Sequence, residues 1–270
     1  MIESMKRFGI FLTGLTVLFA FLNWVNYEYK APNNSYGAGE RLDYRVHYGL
    51  INAGEAKIEV NDKLFIVNDK ICLKAVCSGR STGAFDLMMK IRDSWGSYID
   101  TLSQSPQKGF RDIQEGRYRL KEATFFDLKN KAVTVERESD KKSSAVFKIP
   151  AEVQDIVSGF YFIRNVNYNN LKIGDTIGIH AFLEEKMYDF KVKYLGRSVV
   201  DCKFGDIKCI KLSPLMEKNG LFENGNSIRF WLSDDKNKIP IRIEADMFVG
   251  KVAVDLKDYK GLRYPIEFKK

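Results

Sequence analysis

From Leu42 to Lys260 the chain alternates apolar and polar residues with a period of two, and only one segment breaks the habit. Leu42, Tyr44, Val46 and Tyr48 interleave with Asp43, Arg45 and His47, as a strand with one buried face requires. A turn over Gly49–Gly54 leads to Ala56, Ile58 and Val60, which resume the pattern and make a hairpin. LFIVNDKICLKAVCS offers two strands around Asn68-Asp69, and MMKIRDSWGSYID, RYRLKEATFFDL and KAVTVERE read as further strands. DTIGIHAF, MYDFKVKYLGRSVV, KFGDIKCIKL, NSIRFWLSDD, KIPIRIEADM and GKVAVDLKDYK continue the series. Their Val, Ile, Thr, Tyr and Phe content suits a pleated surface.

The exception follows Pro150. In AEVQDIVSGFYFIRNVN, Ile156, Phe160 and Ile163 recur at helical spacing, with Val157 and Tyr161 beside them and Asp155 as N-cap. The spacing predicts a helix over 154–166 that buries Ile156, Val157, Phe160 and Ile163. The whole predicts an all-β, mostly antiparallel fold: a large curved β-sandwich or open β-barrel of a dozen or so strands, with one short helix packed on it. No Pro/Ser-rich linker divides residues 31–270, which favours a single β-rich domain over two β-halves split near the helix.

The first thirty residues stand apart. Lys6 and Arg7 precede an uncharged apolar run from Phe8 to Val25, the layout of a secretory signal. Cleavage after Ala20 would start the mature chain at Phe21. The run is also just long enough to stay in a bilayer, so an uncleaved signal anchor is the rival reading. Either places the body outside the cytoplasm, in the periplasm or held at the outer face of the inner membrane. The net charge is +8, but Lys and Arg are interleaved with Asp and Glu, and beyond Lys6-Arg7 the only doublets are Lys141-Lys142 and Lys269-Lys270. A solvated surface explains this, and no run is long enough for a nucleic-acid partner.

The four cysteines, Cys72, Cys77, Cys202 and Cys209, show no CxxC pair and no zinc spacing. If Gly205-Asp206 is a two-residue turn, Cys202 faces Cys209 across a hairpin, close to disulfide distance. Cys72 and Cys77 sit on opposite faces of one strand and read as buried thiols.

Catalytic chemistry finds little footing. There are two histidines, His47 and His180, and neither GxSxG nor HExxH is present. Asp234-Asp235 lie in SDDKNK and read as a turn. No catalytic residue, metal ligand or cofactor is assigned. The helix is the better candidate for a site. Asp155, Ser158, Tyr161 and Arg164 can border a pocket if it closes an opening in the β-body, and strand residues Trp95 and Trp231 can line the other wall. In that arrangement Asp155 pairs with an arginine, and Arg164→Ala weakens ligand retention while leaving the fold intact.

Three stretches together resemble a known family. GERLDYRVHYGLINAGEA, QDIVSGFYFIR and IRFWLSDDKNKIPIRIE followed by GKVAVDL are similar, in that order, to segments of the exported bacterial family called domain of unknown function 3108. The resemblance covers about Gly39 to Tyr259 and implies export and a mostly β fold. It carries no agreed activity and no catalytic residues.

The expectation is a cell-envelope protein that binds a lipid or other amphipathic ligand, or an envelope partner. A hydrolase acting on envelope glycans or peptides and a structural module of an envelope complex are the alternatives.

Overall fold

The computed structural model describes residues 33–138, 143–215, 227–247 and 250–268. The expected signal or anchor, residues 1–30, and both lysine doublets lie outside the described residues. Fourteen strands alternate direction: β1 (Arg41–Tyr48), β2 (Ile51–Val67), β3 (Lys70–Ser81), β4 (Arg92–Asp100), β5 (Pro106–Glu115), β6 (Tyr118–Asp127), β7 (Ala132–Glu138) and β8 (Ser143–Lys148) precede the main helix. After it come β9 (Thr176–Leu183), β10 (Lys186–Cys202), β11 (Gly205–Pro214), β12 (Ile228–Ser233), β13 (Pro240–Asp246) and β14 (Lys251–Lys260).

They form one open antiparallel sheet in the order β8-β7-β6-β5-β4-β3-β2-β1-β14-β13-β12-β11-β10-β9. Each half of the chain is a simple up-and-down meander, and the halves join where β1 pairs with β14. Bulges at Asp43/Tyr44 and Val46/His47 sharpen the local twist in this central seam.

The two outer edges curl toward each other without pairing directly. After β8 the chain crosses to the far arm, where Gln154 N–H donates to His180 O (2.8 Å) and Phe182 N–H donates to Gln154 O (2.9 Å). Phe182 of β9 stands edge-on to Phe126 of β6 and against Phe147 of β8. Ion pairs tie the β9–β10 turn to the opposite arm: Glu184 to Arg111 (2.9 Å) and Glu185 to Arg137 (2.8 Å).

The sequence pattern missed two strands and one helix. β5 reads PQKGFRDIQE because its inward face carries Gln107, Gly109 and Arg111 instead of an apolar stripe. β8 is only six residues long. A short helix, α1 (Gly83–Met88), occupies residues just before β4, and none of its side chains is buried.

The predicted helix exists as α2 (Ile156–Asn165), capped by Asp155. It lies inside the curl and packs on both arms. Val157 and Tyr161 join Val60, Leu73, Ala75 and Ile99 of β2–β4. Phe162, Ile163 and the following Val166 join Ile177, Ile179, Val192 and Leu212 of the other arm. Enclosure from two sides changes which residues are buried. Ile156 is 53 % exposed, and Phe160 and Ile163 are only half-buried, whereas Tyr161 and Arg164 are fully enclosed. The expectation of one apolar stripe against one sheet is therefore corrected.

Candidate functional site

Pairing across β4–β7 sets four side chains in one row on the concave face: Trp95 opposite Arg111, Arg111 opposite Glu122, and Glu122 opposite Arg137. Two residues further along each strand lies a row of smaller side chains, Ser97, Gly109 and Thr124. The N-terminus of α2 descends onto this second row.

Asp155 makes a reciprocal cap with Ser158. Ser158 N–H donates to Asp155 Oδ1 (2.7 Å), and Asp155 N–H donates to Ser158 Oγ (2.9 Å). This leaves Asp155 Oδ2 buried without a hydrogen-bond partner. A side chain at residue 109 would bring its Cβ within 3.2 Å of that oxygen, so the glycine makes room for the carboxyl group. The carboxyl borders a cavity of about 40 Å³ together with Trp95, Arg111, Glu122, Thr124 and Ile156. Roughly 10–15 Å³ on this measure holds one water, and pockets for drug-sized ligands run to about 300–1,000 Å³, so only a small polar group fits inside.

Burial pushes the Asp155 carboxyl above its ordinary value, against the lowering influence of the Ser158 amide. The Ser97 hydroxyl faces the same carboxyl and also lowers it, although Ser97 Oγ and Asp155 Oδ2 make no hydrogen bond of ordinary geometry. Unlike Asp155 Oδ2, both carboxylate oxygens of Glu122 have partners. Arg111 holds both its oxygens (3.0 and 3.1 Å) and Arg137 holds Oε2 (2.9 Å).

The sign of the Asp155 shift makes a prediction. The native state holds this proton more tightly than the unfolded chain does. Its stabilising contribution is therefore complete below the ordinary value near 3.8 and is lost as pH rises through the higher folded value. Asp155→Asn keeps an acceptor for the cap but cannot ionise. In urea unfolding the variant should gain on the wild type as pH rises from about 4 to 7. Parallel pH profiles would contradict the assignment.

Of the six residues read from sequence as candidate ligand contacts, Asp155 and Trp95 meet at this cavity, and Ser158 serves it only through the cap. Tyr161 and Arg164 lie deeper in the core. Arg164 is 0 % exposed and grips Glu40, also 0 % exposed, through two bonds of 2.6 and 2.8 Å. It also donates to the backbone carbonyls of Ser35 (3.1 Å) and Asn237 (3.0 and 3.1 Å). The rings of Tyr36 and Tyr161 flank its guanidinium at 5.6 and 5.1 Å. Burial opposes the charge, but Glu40 outweighs it and holds the arginine protonated. Arg164 is thus a structural clasp, which overturns the expectation that its loss would spare the fold. Trp231 is buried in a separate cluster with Leu42, Tyr44 and Ile241.

The proposed hairpin disulfide is also corrected. The β10–β11 turn falls at Lys203-Phe204, two residues earlier than expected, so Cys202 pairs with Gly205 and Cys209 with Ser198. Gly205 takes φ +107°, which lets the chain reverse there. Cys209 sits four residues further along the ladder, roughly 13 Å at ~3.3 Å per residue and beyond disulfide reach. All four cysteines are free, and burial pushes the Cys209 thiol up to about 12.

Among the described residues Gln154 Oε1, Tyr161 OH, Ser198 Oγ and Asp235 Oδ2 are also buried without a partner, but none of these residues borders this cavity. A groove near Cys202 and Lys203 contains Asp255, which Arg242 (2.6 Å) and His47 (2.8 Å) already hold. His180 pairs with Asp189, and Asp235 caps the turn through Asn237 and Lys238. Among the described residues no cluster of acidic, His or Cys side chains is suited to a metal.

Among solved structures the chain is similar to a β-barrel-like protein of domain of unknown function DUF1849 from Brucella abortus. The TM-score is 0.57 at 9% identity, covering 84% of this chain and 98% of that one. A candidate lipoprotein from Parabacteroides distasonis (TM-score 0.37, 9% identity, 84% and 97% covered) is more distant. So is a candidate exported protein with a YmcC-like fold from Bacteroides fragilis (0.33, 9%, 86% and 100%). No curated protein matches the chain significantly. The first of these likenesses supports the barrel-like curl of the sheet. The family described as "Protein of unknown function (DUF3108)" matches residues 43–257, which spans the sheet from β1 to β14 and the helix within it, and the chain belongs to that family.

Proposed function

We propose that the chain is a cell-envelope binding protein that holds an amphipathic ligand by its polar group at Asp155. The observation that carries this reading is the unpartnered, buried Oδ2 of Asp155 facing a small cavity. A buried polar atom left without a partner costs about 1–3 kcal/mol, so a bound donor is a physical reason to keep it. An ammonium or hydroxyl group would satisfy that oxygen, and the ligand's apolar part would rest on Trp95 and the half-exposed Ile156 outside the cavity. The apolar N-terminal run supports the envelope location. A two-carboxylate hydrolase fits less well, because guanidinium groups occupy both oxygens of Glu122.

Native mass spectrometry of the full-length protein, purified from envelopes in mild detergent, tests the reading. The wild type should carry an added small mass that Asp155→Asn loses and Gly109→Ala reduces. Bare protein in all three samples would rule the reading out.

A further inference from the structure

The antiparallel order puts the β1–β2, β3–β4, β5–β6, β9–β10 and β13–β14 connections at one end of the sheet. Backbone bonds link several of them side by side. Gly49 N–H donates to Lys251 O (3.1 Å), Thr82 N–H to Ala53 O (3.0 Å) and Gly116 N–H to Lys90 O (2.9 Å). The β1–β2 turn, α1 and the β5–β6 turn therefore form a continuous rim.

That rim carries apolar side chains held out to solvent. Leu50 is 104 % exposed, Leu87 91 % and Met88 84 %; Ile51, Met89 and Tyr118 are each about half exposed. Single exposed apolar residues need no explanation, but a run of six along adjoining turns does. Helix α1 sharpens the point, because a six-residue helix with no buried residue gains no stability from its own Leu and Met. Basic residues stand among them. Lys90, Arg117 and Arg119 have no ion pair among the described residues, and Arg119 reaches only the carbonyls of Gly116 and Tyr118. The acidic residues nearby are largely neutralised: Asp86 by Arg92, Glu184 by Arg111 and Glu185 by Arg137. Glu115 remains.

We infer that this rim docks on the surface of an anionic lipid bilayer, with Leu50, Leu87 and Met88 entering the headgroup boundary and Lys90, Arg117 and Arg119 against lipid phosphates. Exposed Leu and Met bordered by unpaired Lys and Arg are the combination such a surface takes up. A protein partner of ordinary composition offers no matching sheet of negative charge above an apolar layer. The described chain begins at the opposite end, where Asn34 N–H donates to Asn165 at the C-terminus of α2. The inference stands whether or not Asp155 binds a ligand.

Hydrogen exchange resolved by peptide tests it in the full-length chain, where the N-terminal segment stays constant across variants. Vesicles of phosphatidylcholine containing phosphatidylglycerol should slow exchange in peptides spanning 49–54, 83–92 and 115–119, and leave the 66–71 turn unchanged. Phosphatidylcholine alone should give much weaker protection. Leu87→Asp with Met88→Asp should abolish it, and the surface position of both residues leaves the fold intact. Lys90→Glu and Arg117→Glu should each weaken vesicle binding about fivefold or more. Equal protection on both vesicle types, no protection at the rim, or protection that rises with protein concentration without lipid would overturn the inference; the last would mark a contact between copies of this chain.

Discussion

Arg164→Ala should destabilise the protein by about 3–5 kcal/mol, the usual result of removing one partner of a buried ion pair. The loss exceeds that of a surface salt bridge because Glu40 would remain charged in the core with no cation to face it. Three segments would also come apart. Arg164 joins the C-terminal end of α2, the N-terminal strap at Ser35 and Glu40, and the β12–β13 turn at Asn237. For a body of this size the melting temperature should fall on the order of 10 °C. Chemical denaturation of the purified variant checks this. Replacing Arg164 and Glu40 together with Met should restore much of the loss, since no charge is then stranded. A single variant within about 1 kcal/mol of wild type would show that the clasp is energetically idle.

Gly261→Ala should cost about 2–5 kcal/mol, although it adds one methyl group to an exposed position. Gly261 has φ +65°, which an L side chain adopts at a penalty of roughly 1–2 kcal/mol. Its Cβ would also collide with the Gly39 carbonyl group and lie 3.1 Å from the Glu40 amide. Backbone cannot swing aside as a side-chain tip can, so overpacking adds about 1–3 kcal/mol. The displaced group is the Gly39–Glu40 peptide, which leads directly into Glu40 and so makes the substitution act on the Arg164 clasp from outside. Thermal melts of Gly261→Ala and Gly37→Ala form the comparison, because a Cβ at Gly37 meets nothing. Equal melting temperatures would remove the argument for close approach at Gly261.

Local sequence was a good guide wherever one face of a strand is apolar and the other wet. Leu42 and Tyr44 alternate with Arg41, Asp43 and Arg45, and that segment is β1 with Leu42 and Tyr44 in the core. The Asp155 cap was legible for a similar reason, since both partners lie within three residues. β5 was hidden because it faces inward with Gln107, Gly109 and Arg111, and the partners of Arg111 arrive from elsewhere, Glu122 from β6 and Glu184 from the β9–β10 turn. Gly109 and Arg111 of the candidate site lie on that strand. The Cys202 and Cys209 register depended on where the turn closed, and a two-residue displacement separates positions that pairing would otherwise oppose.

Period-two patterning and a helix-capping signal were enough to determine a mostly antiparallel β chain and its main helix. Whether that helix would show an apolar stripe to one sheet face or be enclosed by both arms of one curled sheet was decided only by the tertiary structure. Enclosure buried Arg164 instead of Ile156, because the carboxylate and carbonyls that make an arginine tolerable in the core come from Glu40, Ser35 and Asn237. Glu40 is 124 residues away along the chain. Side-chain polarity records what a residue needs, and the partner that meets the need is set by tertiary structure.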